Sequence, residues 1–585
     1  MKNIPVRLDT GLAKNHADAN RQYMLRLDPE RLLANYYIQA GLNSNIHQCP
    51  KHYGGWENPD QQVRGNIVGH YMSACAMRAY YDEDREMQGR VERMVNALEK
   101  CQQENEDGWC GSIPPVYLDR IARKKWVWAP MYNVHKSLMG LTDTYLYTGY
   151  DKAEEIIDRW ADWMLRWIND FDDAKMQDIL DWETGGMMEV WASLFARTHK
   201  EKYRILMERF AHIRFFAPLN EEKDILTNTH ANTTIPEAHG FAAAYLATGD
   251  DAYRAYAENY LECALNRDTF CTGGQTSGEG WLKKLTYSDL GIQTQEHCSV
   301  YNMIRLCEYV MQWKPDVRYA EYIEKNIKNG LMTQHRLSDG MNTYYLPLGA
   351  GVRKDWSTPE DHMTCCLGTT LQANSSYEAR VLFEDENGLV VSQAIPCHTT
   401  WKWQGKEVKI QLLLSDDGDN TLRPEKQIQT VQITCETKTF FHVKVRVPGW
   451  SEGTSILVNG TEYARFDGGN SCWVDIPGEW SRDEISVVCT RALQLSKLGD
   501  EDYYAMTYGG VVLAGLTDEP EALPHLNCGC VSESIRPRAV RDWVSSTTTW
   551  YSVGQPHTTI FKPLQEIDEE QYTVYFAGNK HGNDE

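Results

Sequence analysis

The chain has 585 residues, 42% of them hydrophobic, with a mean hydropathy of −0.54 and a formal net charge of −23. That length exceeds one ordinary core and suggests about three domains, at roughly 100–200 residues each. The acidic field repels phosphate backbones, and no stretch of 18 apolar residues occurs, so neither nucleic acid nor membrane is an expected partner.

The first residues, MKNIPVRLDTGLAKNHADANRQYM, carry no apolar segment and no cleavage site. The expected compartment is therefore the cytoplasm, and reduced thiols are the default for the 16 scattered cysteines. Aromatic residues are plentiful, with 19 Trp and 32 Tyr. Flat apolar rings stack on sugars, and they also fill cores.

From residue 11 to 380 the pattern is helical. REMQGRVERMVNALEKCQQ (85–103) and DKAEEIIDRWADWMLRWIND (151–170) place apolar residues three and four apart. A weak repeat runs through this part: Thr148, Thr198 and Thr248 lie 50 residues apart, each at the end of one helix and just before a polar turn. Gly149 and Gly249 suit helix C-caps. Such a period predicts stacked helical hairpins, five to seven of them, and an (α/α)6 barrel is expected over 11–380.

After residue 380 the texture turns to period two. EVKIQLLLS, QTVQITCET, TFFHVKVRVPGW and EISVVCTRAL are split by Gly, Asn, Asp and Pro. They predict an antiparallel β-sandwich over 381–495, joined by residues 1–10 if IPVRLD adds a strand. A second C-terminal β-sandwich is expected over 496–585.

The chemistry concentrates in a few stretches. DHMTCCLGTT (361–370) holds adjacent Cys365 and Cys366, and QTQEHCSV (293–300) places Glu296 and Cys298 two apart. In an extended segment residues i and i+2 point the same way, so these four offer three sulfurs and one oxygen. That is a tetrahedral, zinc-like set, with His297 facing away. The alternatives are a pair in a loop with no role or an oxidised pair with distant partners. Glu279 follows the Gly/Ser-rich loop FCTGGQTSGEGW, where it is either a solvated glutamate or a general acid/base. His70, His135, His230 and His239 sit among small or aromatic residues, as does Glu189 beside the Gly pair of ETGGMMEVWASLF. Each is a structural residue or a substrate contact.

The order GHY, helix with His, GGM-E, HANT-IP, TGG…GE, E-x-C, CC-x-G resembles the β-L-arabinofuranosidases of glycoside hydrolase family 127, and also their family 146 relatives. The resemblance spans nearly the whole chain. It implies an (α/α)6 barrel bearing the active site, two following β-sandwich domains, and a zinc held by Glu296, Cys298, Cys365 and Cys366. It also implies Cys365 as nucleophile, Glu279 as acid/base and His135, His239 and Tyr344 as sugar contacts. His70, Glu189 and His230 are further candidate contacts. The implied reaction is retaining, exo-acting hydrolysis of plant-derived oligosaccharides in a bacterial cytoplasm, with Glu279 protonated at rest by a raised pKa. CCLGTT lacks the CCPPN form of family 127 and follows the CC-x-G-T form of family 146, which leaves the sugar open. The expected partner is an oligosaccharide or glycoside, with a homodimer left open. The competing readings are another sugar-active toroid enzyme (a different furanosidase, a pectin-sugar hydrolase, an epimerase or a lyase) or a carbohydrate-binding scaffold with a structural zinc.

Overall fold

A computed structural model describes residues 1–42, 52–183, 185–416, 425–517, 520, 523–537 and 549–578. The expected 496–585 segment therefore lies partly outside the described residues.

Six helices form an inner ring: α1 (Asn66–Tyr81), α2 (Pro130–Thr148), α3 (Met187–Thr198), α4 (Ala231–Thr248), α5 (His297–Met311) and α6 (Cys365–Ala373). Each packs on the next, and α6 closes onto α1. Five are followed by an outer helix that packs against them: Arg85–Glu104, Asp151–Ile168, Glu201–Arg209, Asp251–Leu265 and Val317–Asn326. The sixth, α6, is backed by the early helix Leu12–Arg26, where Asn20 Nδ2 donates to Leu371 O at 2.9 Å. The result is an (α/α)6 toroid.

The two layers follow from the residues. Outer helix Asp151–Ile168 buries one stripe, Ala153, Ile156, Ile157, Trp160, Ala161 and Met164, and exposes charges on the other face. Helix α1 is buried nearly all round and uses small residues to fit. A Cβ on Gly69 would stand 1.8 Å from Lys136 O, and one on Gly140 would stand 2.6 Å from Gly69 Cα. These glycines set the α1–α2 distance. Gly69→Ala is expected to cost about 3 kcal/mol by overpacking, read as a lowered Tm; an unchanged Tm would contradict this contact.

The 50-residue repeat has a local cause. Thr148, Thr198 and Thr248 each donate Oγ1 to the carbonyl four residues back, at 2.6, 2.8 and 2.7 Å. Each also accepts the N–H two residues on, at 3.3, 3.3 and 3.2 Å. The residue between is left-handed in all three: Gly149, His199 and Gly249. One threonine thus ends the inner helix and starts the turn to its outer partner.

Beyond the toroid lies a ten-stranded sheet whose arms share the long strand Lys426–Val447. Its first half pairs with Lys406–Asp416, its second with Gly388–Val391, and Cys472–Thr490 runs along its length. Residues 2–3 and 7–8 add short strands here, to Leu382–Glu384 and Cys397–Trp403. The pairing is antiparallel as expected, except that Gly388–Val391 runs parallel to 442–445. An eight-stranded antiparallel sheet follows, from Leu493–Lys497 to Phe576–Ala577, so its first strand spans the expected 495/496 boundary. This sheet braces the toroid loops: Tyr575 OH accepts from Cys271 N at 2.7 Å, and Tyr572 OH donates to Pro347 O at 2.7 Å.

Candidate active site

All six inner helices begin at one mouth of the ring. A cleft of about 430 Å³ lies there, and each helix start contributes to it: Val63, Tyr132, Gly185, Asn232, Glu296 and Cys365. Helix N-termini carry partial positive charge, so six converging starts favour anions in the cleft.

Two of these starts build the cysteine cluster. Cys365 and Cys366 are the first two residues of α6. Glu296 is the N-cap of α5, and Cys298 is its second residue. The E-x-C pair is thus not in an extended segment as expected. Glu296 is extended (ψ 132°), but Cys298 already lies in the first helical turn. The preceding Gln295 is left-handed, φ 51°, a strained conformation that turns the chain into the helix. Its Oε1 is fixed by Gly274 N at 3.1 Å.

The four donor atoms lie within 4.8 Å of one another, and all four residues are buried. Cys366 Sγ is 3.2 Å from Cys298 Sγ, 3.9 Å from Cys365 Sγ and 3.8 Å from Glu296 Oε1. A tetrahedral ion with sulfur at about 2.3 Å needs edges of about 3.8 Å, so this group fits one metal ion. His297 does face away, toward Thr369 Oγ1 at 3.0 Å, and burial drives its pKa down to about 3. Burial also raises the pKa of Glu296, to about 8, helped by the Cys365 charge. A cation would take the place of that proton. Burial pushes the Cys365 thiol up too, but hydrogen bonds with Cys298, Cys366 and Tyr344 outweigh it and hold Cys365 well below the usual thiol range. Among the described residues every cysteine is free.

Glu279 sits at the tip of a two-residue hairpin joining Thr276–Ser277 to Gly280–Trp281. Gly278 (φ 55°) and Glu279 (φ 67°) are both left-handed, the geometry of a type I′ turn. Glutamate there is strained, as functional residues often are. The hairpin docks on the entry to α4, with Ala231 N donating to Glu279 O at 2.9 Å. Three side chains donate to the carboxylate: Tyr344 OH at 2.6 Å and Tyr345 OH at 3.0 Å to Oε1, and His230 Nε2 at 3.0 Å to Oε2. His230 Nδ1 accepts the Thr233 N–H as the cap of α4. That bond fixes the tautomer with the proton on Nε2.

The expected raised pKa of Glu279 is not found. The His230 hydrogen bond is the largest influence; with those of the tyrosines it outweighs burial, which raises the pKa, and lowers it to about 2. The hairpin tip leaves the carboxylate partly exposed, so desolvation loses to three donors.

His135, His230 and Tyr344 line the cleft with Cys365, Glu279 and Glu296. Three candidate sugar contacts do not. His70 turns toward α6, with Nδ1 2.6 Å from Gln372 Oε1, and its ring packs where a Cβ on Gly368 would stand. His239 and Glu189 lie deeper. His239 Nε2 donates to Asn302 O at 2.7 Å, and Glu189 pairs with Arg305 and accepts from Tyr309 OH at 2.7 Å. Glu189 and Arg305 line a separate cavity at the far mouth, with Asp143 and Tyr147. The sequence reading missed Tyr345, Tyr132, Lys136 and the aromatic wall of Trp56 and Trp128, whose rings stand edge to face at 5.1 Å. Tyr132 lies one turn before His135, a spacing that signals a shared face. The others come together only through the fold.

Comparison with known proteins agrees with this geometry. The family model for the β-L-arabinofuranosidase GH127 catalytic domain matches residues 5–379, and that for the GH127 middle domain matches residues 388–489. No curated protein matches the sequence. Among solved structures, a GH127 β-L-arabinofuranosidase from Geobacillus stearothermophilus T6 superposes with a TM-score of 0.75 at 15% identity, covering 98% of this chain and 100% of that one. The GH127 β-arabinofuranosidase BT3674 gives 0.72 at 15% identity, covering 99% and 98%. At such identities the superpositions speak for the shared fold, while the two family models span most of the chain. On that basis this chain belongs to the GH127 β-L-arabinofuranosidase family and is a glycoside hydrolase.

Proposed function

We propose that this chain is a retaining, exo-acting β-L-arabinofuranosidase acting on plant-derived oligosaccharides. One observation carries the reading. Cys365 reaches the cleft from the four-donor cluster, its Sγ lies 3.3 Å from Tyr344 OH, and that hydroxyl bonds Glu279. A nucleophile and a carboxyl group are thus tied through one tyrosine on the same wall. A cleft closed by the toroid suits a terminal sugar.

Glu296, Cys298, Cys365 and Cys366 would hold zinc, which suits three soft sulfurs and a carboxylate and would keep the thiols deprotonated when bound. Cys365 attacks the anomeric carbon while the carboxyl group of Glu279 protonates the departing oxygen. Glu279 then takes a proton from the water that releases the sugar, and two inversions leave the configuration retained. The carboxylate resting state of Glu279 suits the second step. For the first, an aglycone oxygen seated on Oε1 displaces Tyr344 or Tyr345, and each donor lost raises the carboxyl pKa.

Screening 4-nitrophenyl furanosides and pyranosides, with the anomer of the first product read by NMR, tests this function. Turnover of the β-L-arabinofuranoside with retention is expected; inversion, or turnover of pyranosides alone, would refute it. Metal analysis on the same preparation is expected to give one zinc per chain. A chelator should then abolish activity and zinc restore it. Full activity in a metal-free preparation would remove the cluster from the mechanism.

A further inference from the structure

A row of hydrogen-bonded side chains runs through the toroid from the far mouth to the cleft. It starts at Asp143 of α2, which lines the far cavity. Ser73 Oγ of α1 donates to Asp143 Oδ2. Gln372 Nε2 of α6 donates to Ser73 Oγ at 2.8 Å, and Gln372 Oε1 lies 2.6 Å from His70 Nδ1. His70 Nε2 lies 3.3 Å from the Tyr132 hydroxyl. Tyr132 lines the cleft and packs on Cys298, Cys365 and Cys366. Ser73, Gln372 and His70 are at most 2% exposed, so their polar atoms must be met within the row.

One end sets the polarity of the whole row. A carboxylate only accepts, so an ionised Asp143 makes Ser73 donate to it. Ser73 then accepts from the Gln372 amide, Gln372 Oε1 accepts from His70 Nδ1, and the bare Nε2 of His70 accepts from Tyr132. The tyrosine proton points inward, and its oxygen faces the cleft as an acceptor. A protonated Asp143 donates instead, and every bond reverses. Ser73 donates to Oε1 of a flipped Gln372, whose Nε2 donates to His70 Nδ1, and His70 donates from Nε2 to Tyr132. The tyrosine proton then faces the cleft. An amide has nearly the same shape either way round. His70 changes tautomer but not charge, because burial holds its pKa well below the usual range.

Asp143 is placed to titrate. Burial raises its carboxyl to about 6, against the Ser73 hydrogen bond and the charge of Arg305. The groups facing it come from every packed element: Arg305, Glu308, Tyr301 and Tyr309 on α5, Glu189 on α3, and Tyr80 and Tyr81 on α1. Lys136 and Tyr147 stand on α2 itself, and Lys2 lines the same cavity.

We infer that Asp143, Ser73, Gln372 and His70 are positioning residues, and that the row decides whether Tyr132 accepts from or donates to what occupies the cleft. The accepting state is the active one. It takes a sugar hydroxyl and leaves the sulfur of Cys365 free. A tyrosine proton turned outward meets the Cys365 charge and blunts the nucleophile. The inference rests on the reading that the sugar meets Cys365 in this cleft.

The test records kcat/KM on 4-nitrophenyl β-L-arabinofuranoside against pH for the intact enzyme, Ser73→Ala and Asp143→Asn. Wild type is expected to lose about 5–10-fold on the acid side of a limb near pH 6, the worth of one hydrogen bond. Both variants should lack that limb, since one cuts the row and the other does not titrate. Ser73→Thr keeps the hydroxyl and should keep the limb. The second arm needs no turnover: ¹⁵N NMR of histidine-labelled enzyme, with His70 assigned by its loss in His70→Gln. Its proton is expected on Nδ1 at high pH and on Nε2 at low pH, and on one nitrogen throughout in Asp143→Asn. If no glycoside is hydrolysed, the proposed activity fails and the tautomer change alone decides the inference. A limb near pH 6 that survives in both variants, or a His70 tautomer that does not change with pH in the wild type, would overturn it.

Discussion

Cys365→Ser is expected to lower kcat on a β-L-arabinofuranoside by about 10⁴-fold or more, the scale seen when a nucleophile acting within a catalytic unit is lost. Fold and Tm should change little, because the side chain is buried in a preformed cluster and oxygen is smaller than sulfur. The physical ground is ionisation. The Cys365 thiol is held well below its usual pKa by Cys298, Cys366 and Tyr344, and a hydroxyl starting far higher cannot be brought to the same state. Cys366→Ser separates the roles. It should lower metal content first and activity only in proportion, since Cys366 does not line the cleft. Release of 4-nitrophenol, circular dichroism and metal analysis on both variants decide the matter. Wild-type turnover in Cys365→Ser would end the nucleophile assignment.

Glu279→Gln is expected to lose about 10²–10⁴-fold on substrates with alkoxide leaving groups, the usual worth of general acid–base help. The loss in the glycosylation step should shrink on 4-nitrophenyl glycosides, whose leaving group needs no proton. Equal losses on both would argue against an acid role. A stability signature accompanies it. The folded pKa of Glu279 is depressed, from an ordinary 4.5 to about 2. The carboxylate therefore contributes stability above about pH 4.5 and loses it as pH falls toward 2. Wild type should lose stability relative to Glu279→Gln across that window, measured by denaturant melts. A constant difference across the window would mean that the three donors do not hold the carboxylate.

The sequence carried whatever is local. Thr148, Thr198 and Thr248 announce helix ends because capping involves only residues within four positions. E-x-C and CC were legible because each pair is set by one helix start, and the toroid brings the two starts together. Glu279 was legible as a loop residue but not in its charge, since Tyr344, Tyr345 and His230 reach it from 65, 66 and 49 residues away. Glu189 and His239 lie away from the cleft lining for a geometric reason. An inner helix runs from one mouth of the toroid to the other, and the residue pattern does not say how deep a side chain reaches. His70 stands behind the cleft lining: α1 turns its Nδ1 to Gln372 of α6 and its Nε2 to the Tyr132 hydroxyl, 3.3 Å away. Lys136 was invisible because nothing in its own segment marks it as facing the cleft.

The most direct test of the central claim is peptide mass mapping after incubation with an arabinofuranosyl haloacetyl or epoxide probe. The account predicts one probe mass per chain, carried by the peptide containing Cys365 and located on that residue, with activity lost in step and no label in Cys365→Ser. A label on Glu279 or elsewhere, or complete inactivation with Cys365 unmodified, would contradict it.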